Sequence, residues 1–151
     1  MTATGHAVIG TVIAATIPNP FIAAPLAIAS HLVADIFPHW DLGTHYKKKH
    51  KTRFLIETIC DVLLGFLLSY LLIIYVFPQT NLGYAFIMII LAQGFDWLWA
   101  PEVYFNIKLP FLSWAIDFSG RFNTVLDKPW GIINQVIALV LLIVIAKLYF
   151  Y

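Results

Sequence analysis

Charge is what this chain has least of. Asp, Glu, Lys and Arg make up 11% of its 151 residues, against about 25% in an average soluble domain. With 61% hydrophobic residues and a mean hydropathy of +0.84, that scarcity excludes an ordinary water-soluble globule, because one core cannot hide so much apolar surface. A net charge of +1 provides no basic face to neutralise phosphates, which argues against a nucleic-acid partner. Cysteine is nearly missing too. Cys60 stands alone, so no intrachain disulfide forms and no oxidising compartment is implied. There is no glycine-rich phosphate loop, Gly-x-Ser-x-Gly elbow or Cys-x-x-Cys pair. Ser30, beside His31, is the nearest approach to a nucleophilic serine. The first apolar run, 7–17, has no Lys or Arg before it and leads into Pro18-Asn19-Pro20. A cleaved signal peptide is therefore not expected.

What is present reads as a single integral membrane domain, 1–151. Apolar segments 7–17 and 21–37 flank the Pro18-Asn19-Pro20 break and predict a helical hairpin over 6–37. Its arms, roughly 11 and 17 residues, fall near or below the ~17–25 needed to cross hydrocarbon, so a re-entrant hairpin is open. Ala23, Ala27, Ser30 and Ala34 recur at three or four residues, a spacing that lets another helix approach closely. The expected partner is the third helix, with Ala27 or Ala34 near Gly65 or Ser69. Segment 38–53 is a polar, basic loop. Segments 54–77, 82–100 and 130–151 are read as spans, and the aromatic, partly polar stretch 101–129 as interfacial pieces. The expected fold is all-α: a polytopic membrane helical bundle with an N-terminal hairpin, three spanning helices and an interfacial segment.

Eight of the nine Lys and Arg residues lie in 47–53 and 101–129, leaving Lys147 apart. The positive-inside rule then places both loops, and the N-terminus, in the cytoplasm. Trp40, Trp97, Trp99 and Trp130 fall at that interface, with Tyr149 and Tyr151 at the other.

All five histidines precede residue 51. His31 and Asp35 are four apart, hence on one helix face. Pro38 ends that helix, so His39 and Asp41 can turn back toward the same point. Such a set suits a divalent transition metal, Zn²⁺ or Mn²⁺. Hairpin closure returns His6 to the same face, while Glu57, Asp61 and Asp96 sit near the inner ends of apolar helices. Carboxylates in lipid-spanning helices cost several kcal/mol unless paired, hydrated or liganded. Their convergence at one depth predicts a site with His6, His31, Asp35 and Asp41 as metal ligands. Asp61, His39 and His45 are further ligands, orienting groups or the general base. Bland readings stand beside this one. His31–Asp35 can be a hydrogen-bonded pair that only locks the hairpin, and His45 and His50 can be solvated loop residues. Glu57 can pair with Arg53, and Asp117 with Arg121.

Gly5-His6, the Ala-rich hairpin, and Pro38-His39-Trp40-Asp41 followed by Gly43-Thr44-His45 resemble a bacterial inner-membrane family of membrane-bound metal-dependent hydrolases, some under LexA control. The resemblance covers about residues 1–65. His6 matches the family's early histidine, Pro38 and Asp41 the ends of its Pro-Asp-x-Asp segment, and Thr44-His45 its Thr-His pair. His39 departs from the family, which carries aspartate there. The resemblance implies a multi-pass protein of the inner membrane, a divalent metal and a hydrolytic activity. Because the site opens among aromatics at the headgroups, a lipid-like ester or phosphoester is the expected substrate class. The alternative is a scaffold or small ion-handling protein whose His/Asp cluster is structural.

Overall fold

The computed structural model describes residues 1–151, apart from the side chain of Lys47. Among the described residues there are seven α-helices and no β-strand. Helix α1, Ala3–Thr16, starts at Thr2, whose hydroxyl accepts from the Gly5 N–H, and stops ahead of Pro18. Helix α2, Pro20–Ile36, has Asn19 as its cap and Pro20 in its first turn, and it ends before Pro38. A 3₁₀ turn, Tyr46–Lys48, leads to α3, Lys51–Tyr75. Then come α4, Leu82–Ala92, α5, Gly94–Phe105, α6, Pro110–Gly120, and α7, Trp130–Tyr149.

Two helices, α3 and α7, are long and apolar enough to cross a membrane, or three spans exist if the bent α4–α5 pair counts as one. The 82–100 segment is thus not one straight helix, as the sequence reading has it. Gln93 leaves helical geometry (φ −86°, ψ 5°), and the chain turns by 56° between α4 and α5. The aromatic stretch 101–129 contains the end of α5 and all of α6.

The hairpin does not lie shallowly against the bundle. Helix α1 is its axis, packed against α2, α3, α4 and α7 and buried at Ala3, Gly5, His6, Ala7, Val8, Gly10, Thr11, Val12 and Ala14. Its 14 residues reach only about 21 Å, which suffices for a helix that meets protein on its sides. Helix α3 turns Gly65, Ser69 and Ile73 inward at four-residue spacing and exposes Leu63, Leu64, Leu67 and Leu71, the pattern of a helix with one buried stripe and an exposed apolar face. The small-residue contact is real, but its partner differs from the expected one. A Cβ on Gly65 would lie 3.0 Å from the Ala7 Cβ and 3.1 Å from the Thr4 Cα, so α1, not α2, abuts α3 there. Ala23 and Ala27 of α2 instead pack with Ala85, Met88 and Ala92 of α4. Helix α1 approaches α3 and α4 closely because small residues, Ala7 against Gly65 and Gly10 against Met88 and Ile89, stand at the crossings.

Loops 38–53 and 101–129 clasp at one end. Leu126 N–H donates to the His39 carbonyl (2.6 Å) and Thr124 N–H to the Asp35 carbonyl (2.8 Å). Lys128 Nζ lies 3.9 Å from the centre of the Trp40 ring. Lys147 sits at the opposite end, donating to the Val76 carbonyl at 2.7 Å, where a cation answers the free carbonyls at the end of α3.

Candidate metal centre

Three helices and one loop bring polar side chains to the clasped end. Asp35 is the hub. Its Oδ1 lies 3.4 Å from His6 Nε2 and its Oδ2 lies 3.4 Å from His31 Nε2. The His6 and His31 rings stack, with centroids 3.8 Å apart and planes 12° from parallel. Asp96, in the first turn of α5, places Oδ1 3.9 Å from His31 Nε2. From the loop, His39 Nε2 stands 3.7 Å from Asp35 Oδ1 and 3.7 Å from Asp41 Oδ2. The Met1 ammonium lies against Asp35 Oδ1. His6, His31, Asp35, His39 and Asp41 are all buried.

The imidazoles are oriented from behind. His31 Nδ1 is 2.8 Å from the Ala92 carbonyl, and His39 Nδ1 is 2.7 Å from the Phe37 carbonyl. A carbonyl only accepts, so Nδ1 carries the proton, and a neutral ring then turns the Nε2 lone pair toward the carboxylates. Lone pair against carboxylate is repulsive unless a proton or a metal cation stands between them. Backbone carbonyls behind the ring are the support that metal-bound histidines commonly have. The bend between α4 and α5 supplies one of them. Asp96 N–H bonds the Gln93 carbonyl (2.9 Å), leaving the Ala92 carbonyl to His31.

These residues fit a metal ion. Among the described residues, both ring nitrogens of His6, His39 Nε2 and Asp96 Oδ2 are buried without a hydrogen-bond partner, a costly state for polar atoms away from water. His6, His31 and Asp96 each offer a ligand atom, all within 4.8 Å of one another, and could hold an ion. Tetrahedral ligands bonded at roughly 2.1 Å stand about 3.4 Å apart, which is the spacing of the two Asp35–histidine pairs.

The remaining expected site residues are placed differently. Asp41 joins the cluster through His39, accepting as well from Thr44 N–H at 2.7 Å and from the Asn123 amide at 3.4 Å. Burial pushes its carboxyl up, but the His39 imidazole, the Met1 ammonium, Asn123 and Thr44 outweigh burial and hold it below the ordinary aspartate range. Asp61, expected to orient a liganding histidine, instead caps α1. Its carboxylate accepts from the Ala3 N–H (2.8 Å), the Thr4 N–H (3.2 Å) and the Thr4 hydroxyl (2.6 Å), because the orphan amides of a helix N-terminus attract an anion. His45, in left-handed geometry (φ 58°), is exposed, with Nε2 3.9 Å from Asp127. Glu57 is held by Lys49 (2.7 Å) and Arg53 (2.9 Å).

Asp96 and Asn123 are the site residues that sequence reasoning did not assign. Asp96 carried a signal, a lone acid at the end of an apolar segment. Its facing His31 depends on the α4–α5 bend, which spacing does not reveal. Asn123 carried none.

His31, Asp35, Asp41, Asp61 and Asp96 line one cavity of about 560 Å³, whose apolar wall includes Phe54, Phe95, Trp97, Trp99 and Tyr104. Phe54 packs between Trp99, Tyr46 and Tyr104, with ring centroids 5.7–6.1 Å apart. No family model, curated protein or solved structure matches the chain.

Proposed function

We propose that the chain is a membrane-bound, metal-dependent hydrolase that takes a lipid-like ester or phosphoester. The observation that carries this reading is a buried His/Asp cluster opening on an aromatic-walled cavity. His6, His31, Asp35 and Asp96 would hold the ion, Zn²⁺ or Mn²⁺ by the mixture of imidazole and carboxylate donors. Such an ion supplies Lewis acidity and an acidified water. The chain's own residues do the rest. Ala92 fixes the His31 ring through its carbonyl, and Asp61 anchors α1 and so the position of His6. Asp96 Oδ2, unpartnered beside the cavity, is the acceptor for a proton. The aromatic wall receives the acyl or alkyl part and excludes water from it.

In this reading α3, the α4–α5 pair and α7 are three crossings of a bacterial inner membrane, with the clasped basic loops and the N-terminus cytoplasmic. The resemblance of residues 1–65 to membrane-bound hydrolases supports the same assignment. One observation favours the second reading, a structural cluster in a scaffold or ion-handling protein: the Met1 ammonium against Asp35 answers part of the negative charge with no ion. Detergent-purified protein separates the two. Wild type should retain metal and hydrolyse ester or phosphoester lipids in mixed micelles, and His31→Ala should lose both. Metal-free wild type without turnover would establish the structural reading.

A further inference from the structure

The group formed by His6, His31 and Asp96 leaves His39 and Asp41 unexplained. His39 is fully buried, its Nδ1 is committed to the Phe37 carbonyl, and its Nε2 has no hydrogen-bond partner. That nitrogen faces two carboxylate oxygens from different residues at equal distance, 3.7 Å each. Two ligands at roughly 2.1–2.2 Å from one ion, spread by about 120°, stand about 3.7 Å apart, which is the separation of His39 Nε2 from each of the two carboxylate oxygens. On the same Asp35 oxygen a cation is already held, the Met1 ammonium.

We infer that His39, Asp41 and Asp35 Oδ1 form a second divalent-cation position, which Asp35 bridges to the first. This deepens the proposed metal-dependent function and rests on it. Asp35 is suited to bridging because its oxygens are divided: Oδ2 faces His31, and Oδ1 faces His39 as well as His6. Two-metal sites hold their ions about 3.5–4 Å apart, a separation that one carboxylate spans, and they clamp both the attacking and the leaving oxygen of a displacement. Asn123 and Thr44 fix Asp41 by hydrogen bonds, as the carboxylate partners of a metal commonly are fixed. The second ion takes the place of the Met1 ammonium on Oδ1. The substrate class narrows accordingly to phosphoesters, whose transferring group offers oxygens to both ions.

Titration of chelator-stripped, detergent-purified full-length protein with Mn²⁺ alone tests this, with bound metal counted by elemental analysis and the spin state read by electron paramagnetic resonance. Wild type should bind two Mn²⁺ per chain and show an exchange-coupled signal. His39→Gln and Asp41→Asn should each bind one and give the six-line signal of an isolated ion. Asp41→Asn keeps the side-chain shape, so the comparison survives if His39→Gln folds poorly. Wild type with one Mn²⁺ per chain and a six-line signal would overturn the second position and leave the first intact. Wild type with none would overturn both.

Discussion

Replacing Gly10 with alanine sets two effects of opposite sign against each other. In a free helix the change is worth about 1 kcal/mol of added stability, since alanine loses less backbone freedom. Gly10, however, lies where α1 crosses α4. A Cβ there would stand 2.8 Å from the Met88 carbonyl oxygen, 2.9 Å from the Ile89 Cα and 3.1 Å from the Ala92 Cβ. Two of those are backbone atoms, so the helices must separate by several tenths of an ångström. Overpacking of this kind costs ~1–3 kcal/mol. Steric cost therefore wins, by up to about 2 kcal/mol, and at 2–4 °C per kcal/mol Tm should fall by up to roughly 8 °C. The shift also moves Ala92, whose carbonyl orients His31, so metal affinity should fall with stability. Thermal unfolding in detergent, followed by tryptophan fluorescence, reads the first effect, and metal titration reads the second. Gly120→Ala is the control, because nothing lies within 4 Å of its added Cβ. A Gly10→Ala protein as stable as wild type would show that α1 and α4 are not in such contact.

Asp61→Ala strips the cap from α1 and should cost about 1–3 kcal/mol, lowering Tm while the metal stoichiometry of the folded fraction stays that of wild type. Loss of metal from a fold of unchanged stability would instead make Asp61 a ligand. Single cysteines at Lys48→Cys and Lys128→Cys, in a Cys60→Ser background, should both label from the cytoplasmic side of inverted vesicles, and Tyr149→Cys from the other. Labelling of Lys48→Cys and Lys128→Cys from opposite faces would contradict the clasp of the two loops.

The parts legible in the sequence were those set by local chemistry. Pro18, Pro20 and Pro38 bound the first two helices where the broken pattern places them. The four-residue interval from His31 to Asp35 delivers both side chains to one point, as helical geometry requires. The Gly65 seam was visible as a small residue, but which helix fills it was not, because that depends on the relative closeness of three helices. Asp61 reads as a costly buried acid in either role. Only the arrival of the α1 amides shows that backbone groups, not an imidazole, satisfy it. The α4–α5 bend was hidden because Gln93-Gly94 carries no proline, and with it went the placement of Asp96.

The enclosure of α1 by α2, α3, α4 and α7 constrains the order of assembly. A helix of about 21 Å is short of a ~30 Å hydrocarbon core, and His6 and Thr4 find no partners in lipid. It cannot wait in the bilayer as an independent insert, in the way α3 and α7 can, for later helices to pack on it. Its Ala3 and Thr4 amides are capped only after α3 presents Asp61, and its crossing is lined only after α4 has returned. Of the seven helices, α1 is therefore the last one seated. With α3, the α4–α5 pair and α7 as the proposed crossings, either these enter the membrane around a vacancy or α1 waits at the headgroups until they arrive. Unfolding should run in reverse: once α1 is withdrawn, α3 and α7 lose the helix that joins them to the α2–α4 pair.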